Sequence, residues 1–161
     1  CRARSEDCRS RKWTRPHRSR LPGMSSAMIG IDTNILLRLI VGDEPKQAVA
    51  ARNLLRDHCS PDDPGYVGQI VLVELVWTLA NAYGFTRERI AAAIEQILET
   101  AQIDVESPNA VAAAVKDYRD GPADFADCLL VRMNAAAGCD HTVTFDRKAA
   151  KLNGFELLKG G

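Results

Sequence analysis

Along the chain, short continuous apolar runs alternate with longer stretches whose apolar residues recur at helical spacing. Met28–Asp32 (MIGID) predicts a short buried strand, and Asn34–Val41 (NILLRLIV) a helix that follows it at once. Pro45–Asp57 sets Ala48, Val49, Ala51, Leu54 and Leu55 at helical spacing, with Pro45 in the first turn, where its missing N–H costs nothing. Ser60–Gly65 (SPDDPG) has the composition of a turn. Tyr66–Ile70 predicts a second strand, and Val71–Tyr83 a largely apolar helix stopped by Gly84. Thr86 predicts an N-cap for a helix reaching Thr100. Gln102–Val105 follows as a strand, Asn109–Arg119 as a helix and Asp120–Pro122 as a break. Asp124–Ala137 resumes the helix until Gly138; then come a strand at His141–Phe145, a short helix at Arg147–Leu152 and a closing strand at Phe155–Leu158. Strands separated by helices predict an α/β fold, a three-layer α/β/α sandwich with a central parallel sheet.

Charge changes this picture at one end. The 21 basic and 21 acidic residues cancel, which by itself excludes a strongly basic nucleic-acid binder. The cancellation hides a split. Residues 1–27 hold eight Lys/Arg against Glu6 and Asp7, a net of +6, so residues 28–161 carry −6. A segment so polar and charged buries too little to order itself, so 1–27 is expected to be a disordered basic extension ahead of a domain at 28–161. It has no apolar core of the kind a secretory signal needs. Five cysteines with no CxxC pair predict neither a disulfide framework nor a zinc site, and a reducing cytoplasm is the simpler expectation. No apolar run is long enough to cross a membrane.

The candidate chemistry is acidic. In a parallel α/β sheet, ligands gather outside the carboxyl ends of the strands. Asp32 ends the first strand and Asp146 ends HTVTF, so two strand ends deliver carboxylates to one edge. Glu74 lies among apolar neighbours in VLVELVW, which places its carboxylate near buried surface and predicts a partner for it. Asp124 and Asp127, three apart in ADFADCLL, share a helix face in a first turn. Each acid alone has a plain structural role. Asp32 and Asp146 suit N-caps, Glu74 and Asp124 suit the positive ends of helices, and Asp127 suits an ion pair with Arg132 or another nearby base. Together at one edge they repel, and a cation is the natural compensation. Oxygen donors without Cys or His select Mg²⁺ or Mn²⁺. Such a site holds phosphate through the metal and activates water for in-line attack.

Other chemistries lack their residues. There is no GxGxxG, no GK[ST] phosphate loop and no GxSxG elbow, and His17, His58 and His141 are scattered. An aspartyl-nucleophile phosphohydrolase needs an acid two positions after Asp32, where Asn34 stands. A receiver-type signalling domain needs a lysine near the last strands, and HTVTFD offers none.

The segments IDTNILLRL, VLVELVWTLANAYG, ADFADCLLVRMNAAAGC and HTVTFDRKAAKLNGFELL, in this order, resemble the PIN-domain family, and within it the VapC-type toxin ribonucleases. The resemblance spans 28–158, and such chains ordinarily begin at the position of Met28. It implies that Asp32, Asp127 and Asp146 are metal ligands. Asp127 takes the primary role there, and Asp124 is an extra carboxylate one turn earlier. Glu74 matches the glutamate of the third helix, while Thr33, Asn34 and Thr144 match supporting polar groups. It further implies Mg²⁺- or Mn²⁺-dependent cleavage of RNA phosphodiesters, a homodimer, and silencing by a cognate antitoxin. In that scheme Glu74 or a neighbouring carboxylate orients the attacking water or accepts its proton. Arg38, Arg87, Arg147 and Lys148 are the candidate contacts to the RNA backbone. A different class of function is a catalytically silent PIN module that binds RNA or a protein partner.

Overall fold

A computed structural model describes residues 28–159. The expected basic extension at 1–27 therefore lies outside the described residues. The first helix, α1 (Thr33–Ile40), is capped by Asp32 and buries Leu36 and Leu37. Its terminal turn gives way at Gly42, whose φ of +70° suits a residue without Cβ. Helix α2 (Pro45–His58) opens on Pro45 and turns Ala48 and Ala51 inward. Strand β1 (Gly65–Val67) and helix α3 (Gln69–Asn81) follow, the latter burying Leu72, Leu75, Val76 and Leu79. Helix α4 (Arg87–Glu99) is capped by the Thr86 hydroxyl, which accepts from Arg89 N–H at 3.3 Å. Then come β2 (Ile103–Val105), α5 (Pro108–Asp120), α6 (Phe125–Ala136), β3 (Thr142–Thr144), a 3₁₀ turn at Ala149–Lys151 and β4 (Phe155–Leu157).

All strand pairings are parallel, as the alternation of strands and helices predicts, and the fold is α/β. β1 pairs with β2 from Gly65↔Ile103 to Val67↔Val105, and β3 with β4 from Thr142↔Phe155 to Thr144↔Leu157. Where one central sheet is expected, the described residues hold two separate two-stranded units. The expected strand Met28–Asp32 contracts to one bridge, Gly30↔Tyr66, with Ile31 N–H on Tyr66 O at 2.8 Å. Its close approach to β1 depends on Gly65, since a Cβ there would stand 2.5 Å from Ile31 Cδ1. The strand expected at Tyr66–Ile70 stops at Val67. Gly68 becomes the N-cap of α3, and the helical run to its right captures Gln69 and Ile70, leaving Ile70 82% exposed. A five-residue stretch such as Tyr66–Ile70 is ambiguous between strand and helix, and here the longer helix takes its end.

One apolar cluster joins α1, α3, α4, α5, α6 and the first strands through Leu36, Leu75, Leu79, Ile94, Val111 and Leu129. Helix α3 lies against α1 on one side and α6 on another, so it stands between the two helices that carry Asp32 and Asp127.

Candidate active site

Asp32 sits immediately ahead of α1 in extended backbone, and its carboxylate accepts from Asn34 N–H at 3.3 Å and Asn34 Nδ2 at 3.0 Å. The Asn34 side chain, then its backbone N–H, holds the Asp32 carboxyl below the usual carboxylate range. It is thus both a helix cap and an exposed, ionised acid. The next residue, Thr33, is 2% exposed, and its hydroxyl donates to Glu74 Oε2 at 2.6 Å. This corrects the expectation for Glu74. The residue is exposed rather than packed among its apolar neighbours, because α3 turns Leu72, Leu75 and Val76 inward and leaves position 74 on its outer face. Its partner is a buried hydroxyl 41 residues away. The Thr33–Glu74 and Asn34–Asp32 bonds group these four residues as one half of the candidate site.

The second half gathers at the start of α6. Asp124 is the N-cap by backbone position, yet its side chain makes no capping hydrogen bond. Asp127, one turn later, is half-buried and its carboxyl is pushed above the usual range. Burial is the largest cause, followed by the negative charges of Asp124 and Asp146. Asp124 and Asp146 thus both act electrostatically on Asp127. Asp146 follows β3: its N–H donates to Thr144 Oγ1 at 2.9 Å, and its Oδ1 accepts from Lys148 N–H at 2.6 Å, capping the short turn after it. The ion pair expected between Asp127 and Arg132 does not form. Arg132 forks instead onto Asp117, with Nη2 to Oδ1 at 2.7 Å.

None of the five acids is in an ion pair with Arg, Lys or His among the described residues. Among the described residues, the negative charge of the second half is therefore met by no ion-paired cation. Hard oxygen donors in that state suit Mg²⁺ or Mn²⁺. As the side chains stand, no three Asp, Glu, His or Cys groups among the described residues are close enough to hold one ion jointly.

The family model of the PIN domain matches residues 29–154, nearly all of the described chain. This chain belongs to the PIN-domain family. A VapC ribonuclease of Aquifex aeolicus (strain VF5) is 29% identical over 128 residues, covering 80% of this chain and 93% of that one. Every acid of the constellation lies inside the matched PIN segment.

Two of the four cations expected at RNA are committed elsewhere in this PIN domain. Arg38 donates to Gln47 Oε1 at 2.7 Å and Asp43 Oδ1 at 2.6 Å, tying α1 to the α1–α2 turn. Arg87 donates to the carbonyls of Tyr118 and Ala123. Arg147 and Lys148 are exposed beside Asp146, next to Phe145, which is 72% exposed. The role of Arg87 is hard to see in the sequence from its own neighbours. The signal lies 35 residues on, in a proline that leaves a carbonyl open.

Proposed function

We propose that this PIN domain is a metal-dependent endoribonuclease, the toxin of a toxin–antitoxin pair. The observation that carries the reading is the second half-site. Burial, then the negative charges of Asp124 and Asp146, push the Asp127 carboxyl up, and none of the three acids is ion-paired with Arg, Lys or His among the described residues. Asp124 also spends none of its side chain on capping α6. Likeness to a VapC ribonuclease supports RNA as substrate and a cognate antitoxin as partner.

Asp32, Asp127 and Asp146 would hold Mg²⁺ or Mn²⁺, with Asp124 adding a fourth carboxylate. Once bound, the cation supplies water activation and charge neutralisation at phosphorus. The chain's own residues supply the rest. Asn34 keeps Asp32 ionised and fixes its orientation. The Thr33 hydroxyl holds one oxygen of Glu74, leaving the other to accept a proton from the attacking water. Thr144 and the Lys148 N–H fix the backbone around Asp146. Arg147 and Lys148, exposed at the same place, would meet phosphates of the RNA backbone. A homodimer in the cytoplasm fits the reading, and among the described residues no helix is long and apolar enough to cross a membrane.

That no three Asp, Glu, His or Cys side chains among the described residues stand close enough to hold one ion favours one other reading, a silent module that binds RNA without cutting it. A cleavage assay decides between them. Structured RNA is incubated with the full chain in Mg²⁺, in Mn²⁺ and in EDTA. Cleavage with either metal that stops in EDTA and returns on adding metal is expected. Binding without cleavage under all three conditions overturns the proposal.

A further inference from the structure

Residue 122 is proline, so the carbonyl of Tyr118, four residues earlier, has no N–H to receive from the helix ladder. Helix α5 ends at Asp120, and its last backbone bond runs from Gly121 N–H to Asp117 O at 2.9 Å. The open carbonyl of Tyr118 is served from another helix, by Arg87 Nη1. The same nitrogen donates to Ala123 O at 2.8 Å. Ala123 directly precedes Asp124, where α6 begins. One guanidinium thus bridges the two ends of the turn between α5 and α6.

Packing closes around that bridge. Arg87 Cζ lies 4.1 Å from the centroid of the Tyr118 ring, and Tyr118 meets Phe125 edge-on at 5.9 Å and 85°. Ala123 and Phe125 are 1% and 2% exposed. Arg87 also stands at the first position of α4, where a cation opposes the helix macrodipole. Its charge is compensated at the carbonyl end of α5 instead, so its placement serves the junction rather than its own helix.

We propose that Arg87 is a positioning residue for the acidic site, fixing the start of α6 against α4 and α5 so that Asp124 and Asp127 are held ready for a divalent cation. The inference rests on the reading of Asp127 as a metal ligand. Lysine keeps the charge but lacks the planar guanidinium that lies over the Tyr118 ring, and methionine removes the charge and the donors as well.

The test uses the full chain as Arg87→Met and Arg87→Lys, with Asp127→Asn as reference. Amide hydrogen exchange and Mn²⁺ binding by titration calorimetry, without RNA, are the two readouts. In Arg87→Met, exchange across 121–129 is expected to quicken at least about tenfold while 90–97 in α4 stays at the wild-type rate. Mn²⁺ affinity is expected to fall about tenfold, the scale of losing a residue that supports a ligand. Arg87→Lys should fall between, and it carries both readouts if Arg87→Met does not fold. Exchange that rises evenly over α4, α5 and α6, or stays at wild type throughout, overturns the proposal. Unchanged Mn²⁺ affinity alongside faster exchange at 121–129 does so too. If the wild type binds no Mn²⁺, or Asp127→Asn binds it equally well, the metal-ligand reading fails instead, and the exchange pattern still decides the role of Arg87.

Discussion

Thr33 and Glu74 are 41 residues apart in the chain and 2.6 Å apart in space. The bond joins a buried hydroxyl to an exposed carboxylate, so it restrains a side chain that would otherwise sweep through solvent. Thr33→Val keeps the shape and removes the donor. It is expected to lower kcat about 10–100-fold with KM little changed, measured by steady-state RNA cleavage. Asp127 makes a prediction of opposite flavour. Its folded pKa lies above the unfolded value, so its ionised form costs the folded state. Below about pH 4 the carboxyl is protonated in both states and the cost vanishes; it grows as pH rises through the folded value. Asp127→Asn in metal-free buffer should therefore melt higher than wild type at pH 7 and at the same temperature near pH 3, as read by thermal unfolding. A proposed metal ligand that destabilises its own fold is the expected trade between stability and activity. The residue types of this site were legible in the sequence, because carboxylates at strand ends and helix starts have few innocent reasons to gather. The actual partners were not. Asp117 takes Arg132 through a contact between α5 and α6 that no local pattern encodes, and Asp43 takes Arg38 across the turn after α1.

At the scale of elements, helix starts were read well because they depend on the nearest few residues. Thr86 caps α4, Pro45 opens α2 and Asp32 caps α1. The strands were read less well. A three-residue strand carries no period, and its length depends on what its neighbours leave it. Gly68 and the apolar run beyond it extended α3 into the predicted strand, and Met28–Asp32 kept a single bridge. The β3–β4 pair offers a direct test of how an element carries the site. Gly154 has a φ of +100°, and a Cβ there would stand 2.5 Å from Val131 Cγ2, a side chain that is 5% exposed. Its carbonyl accepts from Thr142 N–H at 2.7 Å, the bond that opens β3, two residues before Thr144. Gly154→Ala is expected to cost about 2–3 kcal/mol, from backbone strain together with overpacking. Denaturant unfolding should show the midpoint falling with the slope unchanged.

For the whole molecule, the neutral sum of charges conceals a −6 domain behind a +6 segment. An acidic nuclease is no contradiction if a cation, rather than net protein charge, meets the phosphate. The α/β class and the parallel pairing followed from the alternation of strands and helices. The division of the strands into two units did not, since it depends on which backbone edges meet in space. The chain belongs to the PIN-domain family, and the proposed centre would draw on two half-sites, one on α1–α3 and one on α6–β3. The most direct test is single-turnover cleavage of RNA in Mn²⁺ by Asp127→Asn beside wild type, with circular dichroism on both. A loss of at least about a thousandfold with an intact fold is expected. Wild-type cleavage by Asp127→Asn, still dependent on metal, would contradict it.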